Sequence, residues 1–224
     1  MAKRLFDIAV ALVALILLSP VWLIVGVAVV LDSPGPVFYR GQRIGKDGVP
    51  FGMLKFRTMC LNADRMGSAL TRGRDPRVTR VGCILRQWKL DEIPQLLNVL
   101  RGEMSLVGPR PEAPCYVEHY TPEQRLVLTV RPGITGATQI AYRHEEALLQ
   151  NCVNMEEEYI NRIMPQKLSL DLHYIAQRSL WLDIMLVART FLALLDKNEP
   201  AREPHVMPAA TGHSESQAED SVAS

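Results

Sequence analysis

The 224-residue chain has few aromatic residues, at 6%, and almost no net charge, at +1. Its four cysteines, Cys60, Cys83, Cys115 and Cys152, form no CxxC pair and share no zinc-ligand spacing with the five histidines. That pattern gives no support to a cysteine-built metal finger or a disulfide framework, so reduced thiols in a cytoplasmic domain are expected. No internal repeat occurs, and no glycine fingerprint of a nucleotide-binding fold. The chemistry must therefore be carried by other motifs, and no nucleic-acid partner is expected.

What is present is unevenly spread. Hydrophobic residues reach 48%, enough for a sizeable core. Residues 1–90 carry 14 Lys or Arg against 5 Asp or Glu, whereas residues 91–224 carry 11 against 19. The sign of the charge changes at Asp91. A basic first half suits anionic lipid head groups or phosphate-bearing substrates, although a solvated mixed surface would explain the charge alone.

Ile8 to Leu31 is a run of 24 residues without a charge, long enough for a bilayer core of roughly 30 Å. It exceeds a signal-peptide core, and no small-residue cleavage site follows it. Ser19-Pro20 lies at its centre, and proline breaks or kinks a helix by removing a backbone donor and clashing with the preceding turn. Each arm is then about 16 Å long, too short to cross alone. Lys3 and Arg4 precede the run, and Arg40, Arg43, Lys46, Lys55 and Arg57 follow it. Basic residues on both sides favour keeping both ends in the cytoplasm. A helix that dips in and returns satisfies this; a kinked straight span stays open on physical grounds.

Beyond the turn-rich residues 32–36, Val37 to Tyr39 and Phe51 to Phe56 read as short strands around a turn at residues 45–48. Thr71 to Arg80 reads as a polar, arginine-rich loop. Helices are expected over residues 92–101 with Gly102 as the stop, over Glu118 to Thr129 from near Thr121-Pro122, and over Asn151 to Met164. Leu180 to Leu195 reads as an apolar helix, either buried in the core or lying in a membrane interface. After Lys197 the composition predicts a disordered tail.

Asp91-Glu92, followed by Pro94, falls at a predicted helix start, where free amides and the helix dipole stabilise acidic residues. Capping alone explains the position. The functional alternative is a carboxylate nucleophile that attacks phosphorus and divides one transfer into two steps. Arg110, between the prolines of Gly108-Pro109-Arg110-Pro111, is presented by a stiff loop suited to phosphate. Arg131 opens a second such loop, Arg131-Pro132-Gly133-Ile134-Thr135-Gly136. Lys55 and Arg57 are expected on one face of a strand, and Arg86 precedes the dyad by five residues. A solvated basic face would explain any one of these cations; together they could surround a diphosphate.

The broken hydrophobic run, Lys-Phe-Arg-Thr-Met at residues 55–59, Leu-Asp-Glu at 90–92, Gly-Pro-Arg-Pro at 108–111 and Arg-Pro-Gly-Ile-Thr-Gly at 131–136 occur in an order that resembles the bacterial sugar transferases. More narrowly, the chain resembles the monotopic polyprenyl-phosphate phosphoglycosyl transferases in their small form, from about Lys3 to Leu195. The resemblance implies an α/β fold, mostly helical with small strand elements. It places a re-entrant helix-break-helix at residues 1–35, with the break at Ser19 and Pro20, before a compact cytoplasmic catalytic domain with interfacial helices at residues 36–196. Residues 197–224 are left as a tail.

By the same resemblance Asp91 would attack the sugar-linked phosphate of a UDP-sugar, releasing UMP. A polyprenyl phosphate such as undecaprenyl phosphate would then take the sugar phosphate, starting exopolysaccharide, capsule, O-antigen or glycoprotein glycan assembly at the bacterial inner membrane. Mg²⁺ is implied as cofactor with Asp91 near it, Glu92 as a second dyad member, and Lys55, Arg57, Arg86, Arg110 and Arg131 as phosphate contacts. A homodimer is admitted, not required. Where the family often continues with Trp-Ala-Gln, this chain has Ala137-Thr138-Gln139, and an Asn-Gly-Arg-like segment is replaced by residues 142–146, which leaves the sugar open. Two rivals are a membrane-anchored assembly factor without activity and a glycosyl transferase that releases UDP.

Overall fold

The computed structural model describes residues 1–63, 66, 67, 70, 71, 75–143, 145–149, 152 and 154–195, with the backbone only for Glu146, Leu194 and Leu195. The expected tail lies outside these residues, as does part of the arginine-rich loop.

The apolar run folds as two helices, α1 (Ala2–Leu17) and α2 (Ser19–Asp32), bent by 63° at Leu18. The break falls where the sequence predicts it. Pro20 sits in the first turn of α2, where its missing N–H leaves nothing unpaired, and the Ser19 hydroxyl closes the end of α1 on the Ile16 carbonyl at 2.8 Å. No single described helix is long and apolar enough to cross a membrane.

Both ends of this pair are tied to the rest of the protein. In α1, Lys3 pairs with the buried Asp183, and Arg4 donates to the Val99 and Leu100 carbonyls at 2.6 and 3.1 Å. Asp7, fully buried, accepts from the Ser105 hydroxyl and the Leu106 N–H. At the end of α2, Asp32 accepts from the Val81 N–H at 2.9 Å, and Ser33 accepts from Arg57 through both its hydroxyl and its carbonyl. Lys3 and Arg4, read in the sequence as the basic flank of a membrane segment, are thus engaged by the domain.

The hairpin β1 (Phe38–Ile44) and β2 (Pro50–Phe56) pairs Phe38 with Phe56 and turns through Lys46–Gly48, where Asp47 and Gly48 take positive φ. Strand β1 is longer than the sequence pattern indicates. Helix α3 (Arg80–Gln87), capped by the Thr79 side chain, leads to a tight turn at Leu90–Glu92 and then α4 (Gln95–Arg101), which Gly102 ends at φ 85. The hairpin is fastened to α4 by Asn98, whose side chain bonds the Leu54 N–H and the Gly52 carbonyl.

Strand β3 (Ser105–Val107) pairs in parallel with β4 (Gly133–Thr135), so the two arginine loops of the sequence become one unit. A Cβ on Gly133 would lie 2.1 Å from the Gly108 nitrogen, which is why both loops carry glycine at the contact. Between them stand α5 (Pro114–Val117) and a 3-10 stretch at Gln124–Thr129, where the sequence predicts one helix from Glu118. Thr121 and Gln124 cap each other there, but the segment stays in 3-10 form and only Val127 of it is buried.

The remainder is α6 (Ala137–Ala141), α7 (Glu145–Leu148), α8 (Met155–Glu158), α9 (Met164–Gln177) and α10 (Leu180–Leu195). The helix expected to stop at Met164 instead continues through a π-helical turn at Tyr159–Ile163 into α9, and Pro165 falls in the first turn of that helix. Helix α10 is buried on one side only: Asp183 and Leu186 are buried, while Trp181, Phe191 and Leu192 stay exposed. One core joins α1, α4, β3 and α10 around Ala11, Val99, Met104 and Leu186. A second surrounds Tyr116, Tyr159, Ile163 and Leu168. In a third, Val25 and Val29 of α2 meet Phe56 and Leu85.

Candidate active site

The acidic dyad lies where the hairpin, the turn before α4 and the β3–β4 loops meet. Lys89, immediately before it, adopts a left-handed conformation at φ 54, a costly choice for a residue with a Cβ. This turns the chain sharply and sets Asp91 and Glu92 inward, with only 5% and 8% of each exposed. Lys55, from β2, reaches across the pair with its ammonium 2.8 Å from Glu92 Oε1 and 3.8 Å from Asp91 Oδ2. Arg110 approaches the same Glu92 oxygen at 3.2 Å from the other side.

The two carboxylates are therefore unlike. Burial works against ionisation of Glu92, but Lys55, Arg110 and Lys89 outweigh it and hold the group well below the ordinary glutamate range. Burial dominates at Asp91 and raises its pKa, with Glu92 adding to the rise and Lys55, Lys89 and Arg86 opposing it. Asp91 Oδ1 is buried and has no hydrogen-bond partner. A buried carboxylate oxygen left unpaired is costly in a resting protein, and such atoms concentrate where a ligand or reacting group completes the set.

The cations divide into two groups. Lys55 and Arg110 face the dyad. Arg86 joins the region through its charge and bonds the Thr58 hydroxyl at 3.0 Å. Arg57 is directed elsewhere: β2 ends at Phe56, so strand alternation no longer aligns it with Lys55, and its guanidinium is spent on Pro36 and Ser33 at the exit of α2. Arg131 donates to the Gly102 carbonyl at 2.7 Å. With Arg4 it caps the C-terminus of α4, at the opposite end of that helix from the dyad.

Several residues near the site escaped the sequence reading. Lys89 carried a signal, since it directly precedes the dyad. Behind Arg110, Lys167 is buried among Glu112 at 3.2 Å, Glu145 at 2.9 Å and the Tyr159 hydroxyl at 2.8 Å. Burial would discharge Lys167, but Glu112 and Glu145 prevail and raise its pKa. Burial likewise opposes the charge on Glu112, and Lys167 and Tyr159 overcome it. Asp171 bonds the Thr138 hydroxyl and the backbone N–H of Arg110, and burial pushes its pKa up to about 7. In this buried group Glu112, next to Pro111, lies close to a motif.

Among the described residues no group of three or more His, Cys, Asp or Glu could hold a metal ion. A Mg²⁺ held by one carboxylate and by substrate phosphates needs no such group. The Asp91 carboxylate fits that mode, whereas Glu92 is already occupied by two cations.

A sequence profile described as "Bacterial sugar transferase" matches residues 1–197. The chain is 38% identical over 196 residues to an Aeromonas hydrophila protein named UDP-N-acetylgalactosamine-undecaprenyl-phosphate N-acetylgalactosaminephosphotransferase, with 86% of this chain and 43% of that one aligned. It is 41% identical over 196 residues to a Caulobacter vibrioides UDP-glucose:undecaprenyl-phosphate glucose-1-phosphate transferase, covering 86% of this chain and 69% of the relative. With the Sinorhizobium fredii exopolysaccharide production protein ExoY the identity is 38% over 208 residues, covering 86% and 85%. The chain thus spans less than half of the first relative and most of the other two.

Proposed function

Because the chain belongs to the bacterial sugar transferase family, we propose that it transfers a sugar 1-phosphate from a UDP-sugar to undecaprenyl phosphate, with Asp91 as nucleophile. The observation that carries this reading is the asymmetry of the dyad. Glu92 is ionised and held by Lys55 and Arg110, while Asp91 keeps one buried oxygen without a partner. Lys55 stands 3.8 Å from Oδ2, too far for a hydrogen bond, and we take Oδ1 as the attacking atom.

In the first step Oδ1 bonds to the sugar-linked phosphorus, and the bond from that phosphorus to the bridging oxygen breaks, its electron pair leaving with UMP. In the second an oxygen of the lipid phosphate bonds to the same phosphorus, and the bond to Oδ1 breaks, returning the carboxylate. No net proton is exchanged. Lys55 and Arg110 lower the repulsion between carboxylate and diphosphate; Arg110, with its side chain 34% exposed, gives one N–H to Glu92 and retains donors for phosphate. Mg²⁺, held by Asp91 and the substrate phosphates, would supply further screening of that charge.

The fold supports a monotopic placement, and the reading sets the domain on the cytoplasmic face of the inner membrane. Both ends of the α1–α2 pair bond the same domain, so a pair that enters a bilayer must return to the side it left. Its exposed Leu12, Ile16, Leu17, Leu23, Ile24 and Val27 suit the acyl region. The test is to incubate the purified chain with undecaprenyl phosphate and a panel of UDP-sugars. UMP release is expected from one or more donors and none from Asp91→Asn; UDP as the sole nucleotide product would exclude sugar-phosphate transfer.

A further inference from the structure

A second orphaned atom lies one helical turn from the first. Gln95 is 2% exposed, and its Nε2 is buried with no hydrogen-bond partner. From Leu90 to Arg101 the backbone is helical throughout, since Ile93 and Pro94 join the turn at the dyad to α4 with helical dihedrals. Gln95 follows Asp91 by four residues, about one turn further along this tightly wound stretch, whose bonds run from Glu92 N–H to the Lys89 carbonyl and from Leu96 N–H to the Ile93 carbonyl. One presents an unpaired acceptor and the other an unpaired donor, yet they do not bond to each other.

We propose that Gln95 holds the transferred phosphoryl group, its Nε2–H donating to a non-bridging phosphoryl oxygen while Asp91 Oδ1 is bonded to the phosphorus. This rests on Asp91 being the nucleophile. A phosphoryl group has the two features that satisfy both orphans together: an electrophilic phosphorus for the carboxylate oxygen and an anionic oxygen for the amide. A metal ion alone would leave the amide unpaired. A neutral amide also suits the task better than a second ammonium there. It stabilises charge on the phosphoryl oxygens without pairing with the carboxylate that must attack, and it has no proton to lose when the lipid phosphate displaces that carboxylate. The donor must stay bonded through both steps, so its loss slows UMP release and acceptor transfer alike.

The cost of such a device is borne in the resting protein, where a buried donor stands unpaired. Replacing it by an apolar side chain of the same length relieves that cost. Gln95→Met is therefore expected to melt no lower than wild type, while kcat falls about 10²-fold and the UDP-sugar KM changes by less than about 3-fold. Gln95→Glu, equally long but without the donor, should be slower still.

The experiment uses the full chain in detergent, the UDP-sugar giving the fastest UMP release, and mass spectrometry of the intact protein in the absence of lipid acceptor. The covalent sugar-phosphate adduct should form on wild type, form about 10²-fold more slowly on Gln95→Met, and be absent from Asp91→Asn. Wild-type kcat in Gln95→Met would overturn the proposal. So would a lower melting temperature together with loss of activity in proportion to folded protein, the result expected if the amide holds only a structural water. UMP release by Asp91→Asn would instead remove the nucleophile, an outcome read on a separate variant.

Discussion

At the scale of single residues, the dyad is governed by which carboxylate the cations reach. Glu92 takes both Lys55 and Arg110, and Asp91 is left with a raised pKa. If Asp91 must be ionised to attack, activity falls as pH drops through its folded pKa, and the acid limb of kcat/KM lies above the ordinary aspartate value of 3.8. Lys55→Met removes a charge that lowers this pKa, so its acid limb should move to higher pH. Glu92→Gln removes one that raises it, so its limb should move lower; pH–rate profiles of the two variants check both directions. Asp171 makes a separate prediction about stability. Its folded pKa of about 7 stands above the ordinary 3.8. Below about pH 4 the group is protonated folded or unfolded; as pH rises toward 7 only the unfolded chain ionises freely, so stability is lost, by roughly 4 kcal/mol in all, and levels off above 7. Asp171→Asn keeps an acceptor for Thr138 and the Arg110 N–H, and should flatten the dependence of melting temperature on pH between 5 and 7. The dyad and Arg110 were legible because their motifs are contiguous. Asp171 and Lys167 were not, since their partners Thr138, Arg110 and Glu112 lie 29 to 61 residues away in the chain and only the fold joins them.

At the scale of elements, local rules located α1, α2, α4, α8, α10 and both hairpin strands, and did not anticipate α3, α5, α6, α7 or α9. The break at Ser19-Pro20, the stop at Gly102 and the span of α10 follow from proline, glycine and apolar runs. The 3-10 stretch at Gln124–Thr129 did not, because a capped, helix-permissive sequence buries too little of itself to complete α-helical turns. Nor did the alignment of Arg57 with Lys55, since the strand ends one residue too soon and the Ser33 and Pro36 carbonyls claim the guanidinium. The α1 helix offers a test. Asp7 is buried one residue before the charge-free run, and it accepts from the Ser105 hydroxyl and the Leu106 N–H. Asp7→Ala strands both donors in the core, at about 1–3 kcal/mol for each buried unpaired group. The melting temperature should fall, and the Lys3–Asp183 and Arg4–α4 contacts of the same helix should not restore it.

At the scale of the whole molecule, the broken helix pair is packed into the same fold as the dyad. The division at residue 35 implied by the family resemblance separates a segment from a domain, yet Ala11 of α1 packs in one core with Val99, Met104 and Leu186, and Val25 and Val29 of α2 pack with Phe56 and Leu85. An element fixed at both ends can enter a bilayer only as a loop, and the 63° bend at Leu18 is what lets two helices begin and finish on one domain. Pro20→Leu supplies the missing N–H and removes the clash that ends α1, favouring one continuous helix. Such a helix of about 30 residues would be some 45 Å long, and could not keep both Lys3 on Asp183 and Ser33 on Arg57. The variant should therefore melt lower and lose UMP release, although position 20 lies far from the dyad in sequence. Topology gives the sharper reading. In a variant without the four native cysteines, cysteines placed at Ala2 and at Pro36 should both resist a membrane-impermeant thiol reagent applied to intact cells and both react once the cells are opened. Labelling of either one from outside would mean that the pair crosses, and the anchors at its two ends could not then coexist.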